Sequence, residues 1–67
     1  MKKKIDILCP FFNESENIKF FFERIFKTLK NLKEYQFNLI CVDDGSNDDT
    51  YHKLRLTKSI HNNIKLR

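Results

Sequence analysis

The 67-residue sequence contains no Trp, one Gly, one Pro and two Cys. It also lacks any apolar run approaching the roughly 20 residues that a membrane-spanning helix requires. The apolar stretch Ile5 to Phe12 is interrupted by Asp6 and Pro10, so the basic opening Met1-Lys2-Lys3-Lys4 does not read as a signal peptide. Cys9 and Cys41 stand singly inside apolar runs, with no CxxC pair and no Cys/His spacing. That excludes a zinc site of the usual kind and fits reduced core thiols in a cytoplasmic protein. Repeats and low-complexity segments are absent as well.

What remains is a globular composition. Hydrophobic residues make up 40% and charged residues 33%, with seven Phe. The chain is too apolar for a disordered tail and too charged for a membrane span. The net charge of +4 comes mostly from Lys2, Lys3 and Lys4 at one end and Lys53, Arg55, Lys58, Lys65 and Arg67 at the other. No basic stripe interleaved with aromatics accompanies it, so no nucleic acid partner is expected. The lysines read as a solvated surface, and an anionic membrane surface is the other partner such a balance suits. A chain of this size buries only about 60% of the surface its unfolded form exposes. It holds one small core over residues 1–67, a partial domain and not a catalytic domain with two substrate sites.

Periodicity divides the chain into alternating elements. Lys4 to Cys9 is a short β-branched and apolar run, read as a buried strand stopped by Pro10. Asn13 followed by Glu16 has the form of a capping box. Ile18, Phe21, Phe22, Ile25, Phe26, Leu29 and Leu32 then recur at spacings of three and four, one apolar face of a helix. Phe20 falls off that stripe, and Lys19, Glu23, Lys27 and Lys30 form the charged face. Phe37 to Val42 reads as a second strand, and a weaker helix is expected from Asp48 or Asp49, with Tyr51, Leu54 and Lys58 at inner or boundary positions. Ile64 to Leu66 opens a third strand, and His61 reads as a surface residue. The pattern is βαβαβ, the incomplete start of an α/β sheet with parallel strands.

In such sheets ligands bind beyond the carboxyl ends of the strands. Two polar clusters fall there: Pro10-Phe11-Phe12-Asn13-Glu14, and Asp43-Asp44-Gly45-Ser46-Asn47-Asp48. Each taken alone reads equally as a turn or a helix cap. The spacing does not fit a Ca²⁺-binding loop, and neither cluster has the glycine-rich form that cradles phosphate with backbone amides. Carboxylates instead accept hydrogen bonds from ribose hydroxyls and base N–H groups. A cleft holding Glu14 with Asp43 or Asp44 is therefore expected to take the nucleoside end of a nucleotide, with Mg²⁺ or Mn²⁺ screening the phosphates.

The two clusters together resemble family 2 glycosyltransferases. Ile7-Leu8-Cys9-Pro10-Phe11-Phe12-Asn13-Glu14-Ser15-Glu16-Asn17-Ile18 matches that family's strand, P-x-[YF]-N-E stretch and helix, and Val42-Asp43-Asp44-Gly45-Ser46-Asn47-Asp48-Asp49-Thr50 matches its V-D-D-G-S-x-D-x-T. The resemblance covers the chain to about Tyr51 and implies the opening of a GT-A fold, whose Rossmann-like half binds a UDP- or GDP-sugar donor. It implies that Pro10, Phe12 and Glu14 line the nucleoside pocket with Glu14 on the ribose, that Asp43 or Asp44 meets the base, and that Asp48 caps the next helix or supports the loop. Phe12 stands where many members have Tyr, which removes a hydroxyl and keeps a stacking face. The spacing is most similar to the polyprenyl-phosphate branch, which implies a lipid-phosphate acceptor, or otherwise a saccharide, at the cytoplasmic face of a membrane. The family's metal-binding D-x-D, dependent on Mg²⁺ or Mn²⁺, and its general base are expected beyond residue 67. No catalytic residue is assigned here, and the chain alone is expected to be inactive.

Two other classes of function fit parts of the pattern. A receiver-like regulatory module also places an acidic pair after a buried strand to hold Mg²⁺, although there the pair follows the first strand and here it follows the second. An oligomerising fragment with no ligand would use a homo-oligomer contact to cover an open sheet edge and a Phe-rich helix.

Overall fold

The computed structural model describes residues 2–67. Five elements alternate along it: β1 (Lys3–Phe11), α1 (Ile18–Leu29), β2 (Tyr35–Asp43), α2 (Thr50–Ile60) and β3 (Ile64–Leu66). The strands form one parallel sheet in the order β1-β2-β3, with Cys9 opposite Cys41 and Leu39 opposite Ile64. This is the expected βαβαβ start of a Rossmann-like sheet.

β1 continues through Pro10, where the sequence had placed its end. The Lys3 N–H donates to the Glu34 carbonyl at 3.3 Å, and the Asp44 N–H to the Phe11 carbonyl at 2.9 Å. Odd-numbered residues of β1 therefore turn their backbone groups toward β2, and even-numbered ones turn outward. Pro10 is even-numbered, so its missing N–H removes nothing from the β1–β2 ladder.

The same parity sorts the side chains. Cys9, Phe11, Leu39, Cys41 and Ile64 are buried on one face of the sheet, together with Ile18 and Phe22 of α1 and Leu54 of α2. Both helices thus pack on that face. Leu39 and Leu54 are fully buried, each contributing about 1.5–3 kcal/mol of transfer free energy. Phe11, Phe21, Phe22 and Phe26 form a chain of ring contacts at centroid distances of 5.1–5.8 Å. The aromatic stripe is therefore core, and Phe20, which falls off it, is exposed. On the opposite face Leu8 is 68% exposed.

The helix ends differ from expectation. α1 stops at Leu29, with the Lys30 N–H donating to the Phe26 carbonyl, and Leu32 lies in the following turn, exposed. Asn13 does not cap α1. It adopts a left-handed φ of 49°, which Asn tolerates better than most residues, and its side chain is used elsewhere. The N-cap position falls to Asn17, which makes no side-chain capping bond. α2 starts at Thr50 and is turned by about one residue from the expected face. Thr50 and Leu54 are buried, Thr57 is half-buried, and Tyr51 and Lys58 are exposed. His61 is half-buried with its ring 4.6 Å from that of Phe26, not a free surface residue.

Candidate functional site at the carboxyl edge of the sheet

Parallel pairing of β1 with β2 brings both polar clusters to one end of the sheet, since Phe11 and Asp43 are register partners at the strands' ends. The loops that follow are joined by direct hydrogen bonds. The Asn13 N–H donates to Ser46 Oγ at 2.9 Å, and Asn13 Oδ1 accepts from the Asn47 N–H at 2.8 Å. The Glu14 N–H donates to Thr50 Oγ1 at 2.8 Å, and the Ser15 N–H to Asp48 Oδ2 at 3.3 Å. Lys53 Nζ adds a bond to the Ser15 carbonyl at 2.8 Å.

Three successive backbone amides of the first loop, at residues 13, 14 and 15, are thus occupied by the second loop. They are not available as an amide cradle for phosphate, in line with the absence of a glycine-rich loop. Gly45, at φ 75°, supplies the left-handed turn that lets the second loop fold back.

Two hydroxyls organise the carboxylates. Ser46 donates to Asp43 Oδ1 while accepting from Asn13, and Thr50 donates to Asp48 Oδ1 while accepting from Glu14. The Thr50 hydroxyl is the main cause holding the Asp48 carboxyl below the usual carboxylate range, with the Thr50 and Ser15 amides adding to it. Asp48 supports the loop and the start of α2, accepting from the Thr50 N–H at 2.9 Å.

Glu14 is half-buried, and its Oε2 accepts from Asn17 Nδ2 at 2.9 Å. Asp43 is half-buried and Asp44 exposed. Pro10 and Phe12 are both exposed, Phe12 by 54%. The structure therefore gathers Glu14, Asp43 and Asp44 onto two joined loops, with Pro10 and Phe12 on the chain leading into them. Ser46 and Thr50 were not singled out from the sequence, where they look like ordinary turn and helix-start residues. The signal for them was that both stand at fixed letters of the V-D-D-G-S-x-D-x-T match, close to an Asp.

Among the described residues no three His, Cys, Asp or Glu side chains come together as a metal-ligand set. No described helix is long and apolar enough to cross a membrane. Cys9 and Cys41 are free, buried and paired across the strands, and burial, with Cys9 beside it, pushes the Cys41 thiol up to about 12. They take no part in the loop site. An open groove of about 630 Å³ lies between the helices, lined by Phe22, Phe26, Leu56 and Ile60 among others, and is mainly apolar.

A parallel α/β sheet that collects acidic loops at its carboxyl edge is of the Rossmann-like class, here as the start of a GT-A sheet. Residues 6–66 match the model of glycosyl transferase family 2, and the chain belongs to that family. It is 37% identical over 60 residues to an undecaprenyl-phosphate 4-deoxy-4-formamido-L-arabinose transferase of Proteus mirabilis, covering 90% of this chain and 18% of that protein. A prophage bactoprenol glucosyl transferase homolog of Escherichia coli is 36% identical over 47 residues, covering 70% of this chain and 15% of that protein. A bactoprenol glucosyl transferase of Shigella phage SfX matches with the same identity and coverage. These relatives place the resemblance in the polyprenyl-phosphate branch. The chain spans less than a fifth of the length of each of them.

Proposed function

We propose that this chain forms the nucleoside-binding corner of a sugar-nucleotide-dependent glycosyltransferase. The observation that carries the reading is the joining of the loops after β1 and β2, which puts the Glu14, Asp43 and Asp44 carboxylates on one rim of the sheet. Glu14 keeps Oε1 for a ribose hydroxyl while Asn17 holds Oε2. Asp44 is the more accessible acceptor for a base N–H, and Asp43, fixed by Ser46, is the more rigid one. Phe12 offers an exposed ring for stacking on the base, and Pro10 borders it.

A divalent cation fits this reading as a partner of the donor's phosphates. Mg²⁺ is commonly held by one or two carboxylates together with substrate phosphates, and the described residues offer acidic oxygens but no closed ligand set. Mg²⁺ or Mn²⁺ would supply charge neutralisation at the diphosphate. The acceptor on this reading is a polyprenyl phosphate, a class supported by the undecaprenyl-phosphate and bactoprenol in the names of the relatives, and the resemblance puts the reaction at the inner face of a membrane. In an inverting transfer the acceptor hydroxyl or phosphate oxygen attacks the anomeric carbon, and this chain's part is to hold the leaving nucleotide. Sugar transfer itself is not assigned to any residue of this chain.

Calorimetric titration with UDP, GDP and their sugar conjugates, with and without Mn²⁺, tests the reading. One nucleotide is expected to bind, and Glu14→Ala and Asp44→Ala are each expected to weaken it by about tenfold, the equivalent of one charge-assisted hydrogen bond, without unfolding the chain. Unchanged affinity in both variants removes the nucleoside-site assignment.

A further inference from the structure

We infer that Thr50 and Asp48 are positioning residues of this donor site: Asp48 orients the Thr50 hydroxyl, and that hydroxyl fixes the backbone at Glu14 so that its carboxylate meets the nucleoside. The inference rests on the donor-site reading above and adds two residues that need not touch the ligand.

Thr50 is the buried polar residue of the described core, 0% exposed. A hydroxyl has one proton and two lone pairs. Here the proton goes to Asp48 Oδ1, which turns a lone pair toward the Glu14 N–H at 2.8 Å. The second Asp48 oxygen takes the Ser15 N–H at 3.3 Å. One carboxylate therefore holds two successive amides of the opposite loop, one directly and one through the hydroxyl.

Capping α2 would need only the bond from the Thr50 N–H to Asp48 Oδ1. The bonds to residues 14 and 15 cross to the other loop and have no capping role. Lys53, three residues beyond Thr50 on α2, reinforces the same crossing by donating to the Ser15 carbonyl. Asn13, held by Ser46 and Asn47, fixes the residue before Glu14. Glu14 is thus held on both sides, and its side chain is then aimed by Asn17. Preorganisation of this kind lowers the ordering cost of binding, so its loss appears in affinity more than in fold.

The test compares Thr50→Val, which keeps the shape and removes the hydroxyl, with Thr50→Ser, which keeps the hydroxyl. Amide exchange at Glu14 is followed by NMR, and affinity for UDP and GDP is measured on the same samples. Thr50→Val is expected to speed Glu14 exchange and weaken nucleotide binding, each by about tenfold, with a lowered melting temperature but the chain still folded at the temperature of the measurement. Thr50→Ser is expected to restore both. Faster exchange with unchanged affinity shows a merely structural role and overturns the inference, as does no change in either. If the unsubstituted chain binds neither nucleotide, the donor-site reading fails and the inference falls with it, whereas binding by the unsubstituted chain with unchanged affinity in the variant overturns the inference alone. Should Thr50→Val not fold, Asp48→Asn, at an exposed position, is expected to speed Ser15 exchange and weaken binding, and no change in both overturns the inference.

Discussion

Ser46 and Thr50 perform parallel tasks in the second loop. Each gives its proton to a carboxylate of its own loop and accepts an amide proton from the first. From sequence these residues are small polar turn formers, and nothing in their spacing shows that their partners lie 33 and 36 positions away. That Glu14, Asp43 and Asp44 lie at one edge of the sheet was legible because each follows a run that reads as a strand, and parallel pairing gathers the ends. Asn13 was misread, since an Asn before a helix usually caps it, and here the left-handed backbone sends its side chain across to Asn47. The cysteines were legible as core. Burial raises both thiols, and Cys41 lies at about 12, so the nucleophilic thiolate is scarce at neutral pH. Both are expected to resist a thiol reagent at pH 7.5 in the native chain and to react fully in guanidinium chloride. Rapid labelling of either under native conditions contradicts the buried placement.

Among the elements, α1 was the clearest from sequence because six apolar positions between Ile18 and Leu29 share one helical face. β1 was underestimated because a Pro stops a strand only when its N–H faces a partner, and which residues face β2 depends on register. The inner face of α2 was set by tertiary bonding: Thr50 is buried because its hydroxyl is satisfied on both sides, and this turns Tyr51 and Lys58 outward. The loop junction depends on an ionised Asp48. Its folded pKa is lower than its unfolded value, so its contribution is fully present above about pH 3.9 and is lost as pH falls through the depressed folded value. The Ser15 and Thr50 amide resonances are expected to titrate together with a midpoint below about 3.9. A midpoint at or above that value, or independent titrations, contradicts the shared carboxylate.

For the whole molecule, sheet order, parallel pairing and family membership agree with one another and with the paired acidic motifs. The family was legible because both motifs occur in order and at strand ends, which a turn reading of either alone does not require. Two regions compete as the place where a ligand would sit: the acidic rim at residues 10–15 and 43–48, and the apolar groove between α1 and α2. The groove is mainly apolar and carries little chemistry suited to a nucleoside. The most direct measurement is an NMR titration of the ¹⁵N-labelled chain with the nucleotide that binds in calorimetry. The account predicts that the largest shifts fall on Phe12, Glu14, Asp43 and Asp44 and their neighbours, with Phe20, Leu56 and Ile60 unmoved. Shifts centred on the helix groove, or none at the rim, would contradict it.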